Sequence, residues 1–124
     1  MTVKKGRIDR GWETQHIVAG WHKEHGWPFA EAVGNGRDGT DVTGLPGLLC
    51  ETKAWATWQP TTWLRQHSQT ELYGSPPHLV PAPLLYVVQR PKGYGPHNLP
   101  EWPAILRLDR LTWLLHEAGY GDRS

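Results

Sequence analysis

Leu48 to Ala54 is the segment that most restricts how this chain can fold. It opens on Leu48, Leu49 and Cys50, an apolar run suited to a covered strand, and continues directly into Glu51, Thr52 and Lys53. Side chains alternate across a strand, so Glu51 and Lys53 emerge together on one face while Cys50 and Thr52 take the other. Burying a carboxylate and an ammonium is costly unless each finds a partner. A fold that accepts this strand must therefore supply one, from another element or from a ligand.

The partner nearest in sequence is Asp41. Asp41, Val42 and Thr43 read as a short strand, and Gly44 to Gly47 is rich enough in turn formers to fold it back onto Leu48 to Ala54 as a hairpin. Directly opposed residues of a hairpin share a face. If Gly44 pairs with Leu48, or Thr43 with Leu49, Asp41 falls opposite Glu51; a register shifted by one turns it to the far side. Both registers are open at this level.

Residues 8–25 place Ile8, Trp12, Ile17, Val18 and Trp21 at helical spacing, with Gly26 and Pro28 as stop signals. Pro28 to Val33 reads as extended and Gly34 to Gly39 as a loop. Thr61 or Thr62 caps a second helix from Trp63 to about Tyr73, closed by Gly74, Pro76 and Pro77. Leu84 to Gln89 is apolar and partly β-branched, a buried strand, and Ala104 to Leu108 is a further strand candidate. Asp109 caps a last helix through Ala118, with Gly119 as its stop. The connection from Arg90 to Trp102, dense in proline and glycine, is long enough to suggest a functional or mobile segment.

A chain of 124 residues builds one core, so residues 1–124 are expected to form a single domain. Eight tryptophans argue against disorder. No apolar stretch has the length of a membrane span and Met1 to Lys5 carries no apolar leader, so the expected location is the cytoplasm, with no membrane partner. A net charge of +1 does not mark a nucleic-acid binder, and any affinity for DNA must come from clusters such as Lys4, Lys5, Arg7 and Arg10, or Arg90 with Lys92. The single cysteine, Cys50, excludes an internal disulfide and reads as a small buried hydrophobe. His16, His22 and His25 lack a cysteine or carboxylate to complete a zinc set and read as solvated helix-end histidines. Gly93 and Gly95 are not followed by the Gly-Lys-Ser/Thr of a phosphate loop. Trp55, Trp58 and Trp63 read first as core, with stacking on an unpaired base as the alternative.

If Asp41 stands beside Glu51, two carboxylates and the carbonyl of Thr52 or Cys50 offer the all-oxygen set that Mg²⁺ prefers, and Mn²⁺ can substitute. A divalent ion supplies what phosphodiester hydrolysis needs, an activated water and a sink for negative charge. Lys53 then either holds the attacking water or stabilises charge on the phosphate. Glu13 shares a helical face with Ile17, Gly20 and Trp21, and is either an acid that orients a second metal or a complement to the helix dipole.

Asp41 followed by Glu51-x-Lys53, in a helix-strand-strand-strand-helix-strand order, resembles the PD-(D/E)xK nuclease superfamily, and within it the small phage-encoded Holliday junction resolvases. Further matches are Lys5-Gly6 with Trp12-Glu13, the run Asp38-Gly39-Thr40-Asp41-Val42-Thr43-Gly44-Leu45-Pro46-Gly47, Trp63-Leu64, the segment Val87 to Gly95, and Leu108-Asp109-Arg110-Leu111. The resemblance spans nearly the whole chain and departs at Trp55 to Trp63 and Gly74 to Pro83, which are unusually rich in tryptophan and proline. It implies an α/β, restriction-endonuclease-like core with a mixed central sheet of four to five strands flanked by helices. It also implies Asp41 and Glu51 as metal ligands with the Thr52 backbone carbonyl, Lys53 as catalytic, Glu13 as an auxiliary acid and Gln66 as a helper. Lys4, Lys5, Arg7, Arg37, Arg90 and Lys92 are the basic residues expected against DNA phosphates. The implied activity is that of a Mg²⁺-dependent, structure-selective endonuclease resolving four-way junctions as a homodimer, in a bacterial or phage-infected cell. Two alternatives stand beside it: the same centre acting on flaps, ends or a duplex site, and a non-catalytic DNA-binding accessory protein.

Overall fold

The computed structural model describes residues 3–33, 40–66 and 83–122, with side chains from residue 10 onward. The chain runs through helix α1 (Val3–Glu24), strands β1 (Glu31–Ala32), β2 (Val42–Thr43) and β3 (Leu48–Ala54), helix α2 (Pro60–Gln66), strand β4 (Leu84–Arg90), a 3₁₀ helix (Pro96–Glu101), strand β5 (Ala104–Ile105) and helix α3 (Leu108–Glu117). The five strands form one mixed sheet in the order β1-β2-β3-β4-β5. Only the central β3–β4 pair is parallel, as its crossover through α2 requires; the other pairs are antiparallel. The architecture is α/β, a five-strand mixed sheet flanked by helices.

Helix α1 begins at Val3, ahead of its first periodic apolar residue, because Lys4, Lys5 and Arg7 are themselves good helix formers. It ends where Gly26 takes φ 115° and the His25 and Trp27 N–H groups both return to the His22 carbonyl at 3.0 Å. Its buried stripe is Thr14, Gln15, Val18, Ala19 and His22, one position round from the face expected from Ile17 and Trp21. Three of those five residues are polar, so apolar periodicity could not mark the stripe.

The sheet's two faces have different partners. Cys50, Tyr86 and Val88 face α1 and join Val18, Ala19, Ala30, Val42, Leu45 and Trp102 in the core. By alternation Leu49, Glu51 and Lys53 on β3, with Leu85, Val87 and Gln89 on β4, take the opposite face. There Lys53 meets Gln66 of α2.

Helix α2 starts at Pro60, a favoured first helical residue, and the Trp63 N–H already bonds the Gln59 carbonyl at 3.0 Å, so neither Thr61 nor Thr62 is its cap. The expected end of this helix near Tyr73, Gly74, Pro76 and Pro77, and the Gly34 to Gly39 loop, lie outside the described residues. Asp109 does not cap α3 either. The cap position is Arg107, and Asp109 sits in the first turn bound to the Arg107 guanidinium at 2.7 Å. The connection from Arg90 to Trp102 holds the 3₁₀ helix, with the Asn98 side chain accepting the Gly95 N–H at 3.3 Å. Among the described residues no helix is long and apolar enough to cross a membrane.

Candidate active site

Val42 pairs with Cys50, and that register sets Asp41 opposite Glu51. Of the two registers open from sequence, the structure takes the one that unites the acids. Thr40 fixes it. Its Oγ1 donates to the Cys50 carbonyl at 2.6 Å and accepts the Cys50 N–H at 2.9 Å, a side chain standing in for a backbone rung. The Asp41 N–H adds a bond to the same Cys50 carbonyl at 3.1 Å.

Beyond Val42 the short β2 no longer covers β3, which leaves the Thr52 N–H on an open edge. Asp41 fills that place: its Oδ2 accepts from the Thr52 N–H at 2.8 Å and from the Thr52 hydroxyl at 3.2 Å. The N–H and C=O of one strand residue project to the same side. The Thr52 carbonyl therefore faces the same edge as the Asp41 carboxylate, as a ligand role for it requires.

Glu51 is 6% exposed and hydrogen-bonded to the Asp41 carboxylate. Burial first, and then the neighbouring Asp41 charge, push its pKa up to about 8, while the Lys53 ammonium pulls it down. Two acids side by side, one of them pushed toward its protonated form, make a centre short of positive charge. A divalent cation fits such a donor set, with Asp41, Glu51 and the Thr52 carbonyl as its holders. Among the described residues no group of three or more His, Cys, Asp and Glu side chains gathers, and the Thr52 carbonyl is the backbone oxygen on the same edge as the Asp41 carboxylate.

Lys53 is half-buried on the Glu51 face and its Nζ donates to Gln66 Oε1 at 3.4 Å. Gln66, singled out in the sequence as a helper, thus stands beside the catalytic candidate. Gln89 was missed. It is buried, pairs with Lys53 across the parallel β3–β4 ladder, and shares its face. The signal was there, as Gln89 is the amide that ends the apolar run Leu84 to Val88.

Glu13 and Arg90 depart from expectation together. Glu13 Oε1 accepts from Arg90 Nη1 at 2.6 Å, and Arg90 also reaches Thr14 Oγ1 at 3.4 Å and the Tyr94 carbonyl at 2.9 Å. Arg90 is 7% exposed, so it is a buried structural cation and not a solvated contact for phosphate. Glu13 is drawn to the α1 side of β4, across the sheet from Glu51 and Lys53, which removes it from the acid centre as the structure stands. It lies in the middle of α1, so it does not complement the dipole at the helix start either. Lys92 is exposed. Arg37 and the side chains of Lys4, Lys5 and Arg7 lie outside the described residues.

The three tryptophans after β3 have separate fates. Trp63 is core, at 4% exposure. Trp55 adopts φ 54°, a left-handed conformation costly for a bulky residue, and its ring lies 4.0 Å from the Arg10 guanidinium and 5.9 Å from that of Arg90. Trp58 is 56% exposed. On the other face, His22 is buried rather than solvated, with Nδ1 donating to the Val18 carbonyl at 2.8 Å and Nε2 facing the Tyr86 hydroxyl at 2.5 Å. Burial pushes the Cys50 thiol up to about 12, so it stays protonated and inert.

Comparison with protein-family models, with curated proteins and with solved structures finds no match to this chain.

Proposed function

We propose that this protein is a Mg²⁺-dependent, structure-selective DNA endonuclease of PD-(D/E)xK type, with four-way junctions as its substrate. The observation that carries the reading is the contact between Asp41 and Glu51 with Lys53 on the same sheet face. Burying Glu51 against the Asp41 carboxylate costs free energy, and a bound cation would offset that cost. The motif resemblance supplies the restriction-endonuclease-like fold and the class of substrate.

Asp41, Glu51 and the Thr52 carbonyl would hold the metal, which when bound supplies Lewis acidity toward the phosphate. Asp41 is oriented by Thr52, and Glu51 is ionised once a cation is present. Lys53, steadied by Gln66, sets a positive charge where the phosphate gains negative charge. Glu13 takes no part in the centre; it holds the buried Arg90 guanidinium. Cutting two opposed strands calls for two centres, which a two-fold homodimer provides. Leu108, Leu111 and Leu115 on α3 are exposed and follow i, i+3, i+7 spacing, an apolar stripe available for such pairing.

The test is a labelled four-way junction, a flap and a linear duplex, each incubated with the protein and Mg²⁺. Nicks in the junction that fall at least 100-fold with Lys53→Ala, at unchanged junction binding in Ca²⁺, are the expected result. Preferential cutting of flap or duplex would transfer the assignment to that substrate. Binding without any product in Mg²⁺ or Mn²⁺ would identify a non-catalytic DNA-binding protein.

A further inference from the structure

Trp58 presents a large apolar ring to solvent at 56% exposure, in the segment that joins the catalytic strand β3 to α2. It is braced. The buried Trp63 ring meets it edge-on, with centroids 5.6 Å apart and an interplanar angle of 83°. Edge-to-face packing uses the Trp63 ring to fix the orientation of Trp58 and leaves much of Trp58 open to solvent. The segment around it is anchored at both ends, by the Trp55 N–H on the Arg90 carbonyl and by the Trp63 N–H on the Gln59 carbonyl, each at 3.0 Å.

Its place relative to the acid centre follows from α2. Trp63 and Gln66 are one turn apart on the same side of the helix, roughly 5 Å along its axis. Trp63 carries Trp58, and Gln66 carries Lys53. Through these contacts the exposed ring and the Lys53 ammonium are tied to one side of α2, on the order of 10–15 Å apart, and a stacked strand advances about 3.4 Å per nucleotide.

We propose that Trp58 is the stacking platform for an unpaired base of the DNA substrate, one to three nucleotides from the phosphate cut at the Asp41, Glu51 and Lys53 centre. The inference rests on the nuclease reading and adds to it the source of selectivity. A base pair inside a continuous duplex keeps both faces stacked and cannot use the ring, whereas a base freed at a branch point can. Trp58 is then a specificity-determining residue that lowers the energy of branched substrates alone. Trp63 is in the core, and the Trp55 ring, less exposed than Trp58, already packs against the Arg10 guanidinium at 4.0 Å.

The experiment uses an immobile four-way junction carrying 2-aminopurine at single positions flanking the cleavage site, with a linear duplex of the same sequence, in Ca²⁺ for binding and Mg²⁺ for nicking. The protein should quench or shift 2-aminopurine emission at one position within three nucleotides of the cut. Trp58→Ala should abolish that signal and reduce junction binding relative to duplex binding about tenfold, the size of one stacked base. Trp58→Phe should keep part of both. Because the ring is exposed, the melting temperature of either variant should stay close to that of the parent, which separates stacking from loss of fold. An unchanged junction-to-duplex ratio in Trp58→Ala, or a 2-aminopurine signal that survives it, would overturn the proposal. A parent protein that binds the junction through Trp58 but never nicks it would overturn the nuclease reading alone; no binding of branched DNA at all would overturn both.

Discussion

Glu51 is the residue at which the cost of the centre is most directly measurable. Its pKa is raised in the folded protein from 4.5 to about 8, by burial first and the Asp41 charge second. A raised carboxylate favours the fold fully at low pH, where it is protonated in both states, and that contribution is lost as pH climbs from about 4.5 to about 8. Metal-free protein should thus lose stability across that window, and Glu51→Gln, which keeps the shape without the charge, should flatten the slope. At pH 8 the variant should be more stable than the parent by about 1–3 kcal/mol once solvent screening is allowed for. Chemical denaturation in EDTA at several pH values measures this. An equal slope in both proteins would mean that neither burial nor the Asp41 charge raises the Glu51 carboxyl. Glu13 gives the complementary case. As the partner of buried Arg90 it should cost about 1–3 kcal/mol when changed to Ala, with cleavage in Mg²⁺ falling only in proportion to folded protein. A full-stability, zero-activity Glu13→Gln would instead restore its role as an auxiliary acid.

At the scale of elements, the hairpin carries the site and two glycines carry the hairpin. Gly44 and Gly47 both take φ 80°, but only at Gly44 would an added Cβ run into backbone, at the Phe29 carbonyl. Gly47→Ala should therefore cost only the left-handed strain, about 1 kcal/mol, whereas Gly44→Ala adds a steric overlap and should cost about 3 kcal/mol or more. Thermal melts of the two variants would show the difference, and equal losses would mean that β2 and the Phe29 segment are not packed as described. Much of this hairpin was legible in the sequence. The turn glycines and the apolar start of Leu48 to Ala54 fix β3 at its observed bounds, and one of two registers was bound to join Asp41 to Glu51. What chose the register was not legible, since it is the Thr40 hydroxyl bonding to Cys50. The Glu13–Arg90 pair was equally hidden, because its members lie 77 positions apart and meet only after α1 packs on the sheet. The polar stripe of α1 defeated periodicity for the same reason: Thr14 and His22 are buried because Arg90 and Tyr86 satisfy them, and no local pattern reports such partners.

For the whole molecule the deciding quantity is the number of centres brought to one substrate. A single chain holds one acid centre, and paired cuts in a junction need two in a fixed relation. A two-fold interface must be self-complementary, so the surface that forms it has to match itself on rotation. The exposed stripe on α3 meets that condition. If two copies of the helix cross antiparallel about a point between Leu111 and Thr112, Leu108 of each lies opposite Leu115 of the other, and the two Leu111 side chains meet near the axis. The helix dipoles then oppose each other, which is favourable. Sedimentation at about 10 μM, where an interface worth about 8 kcal/mol is mostly formed, should show a dimer. Leu111→Glu should shift it to monomer, because two carboxylates would be forced together at the axis, while leaving the melting transition of the chain nearly unchanged. On the junction, the same variant should still make single nicks but lose the paired cuts within one binding event, readable with a supercoiled cruciform plasmid as accumulation of nicked circles over linear product. A parent protein that sediments as a monomer with DNA and without it would remove the two-fold arrangement, and with it the expectation of symmetric resolution.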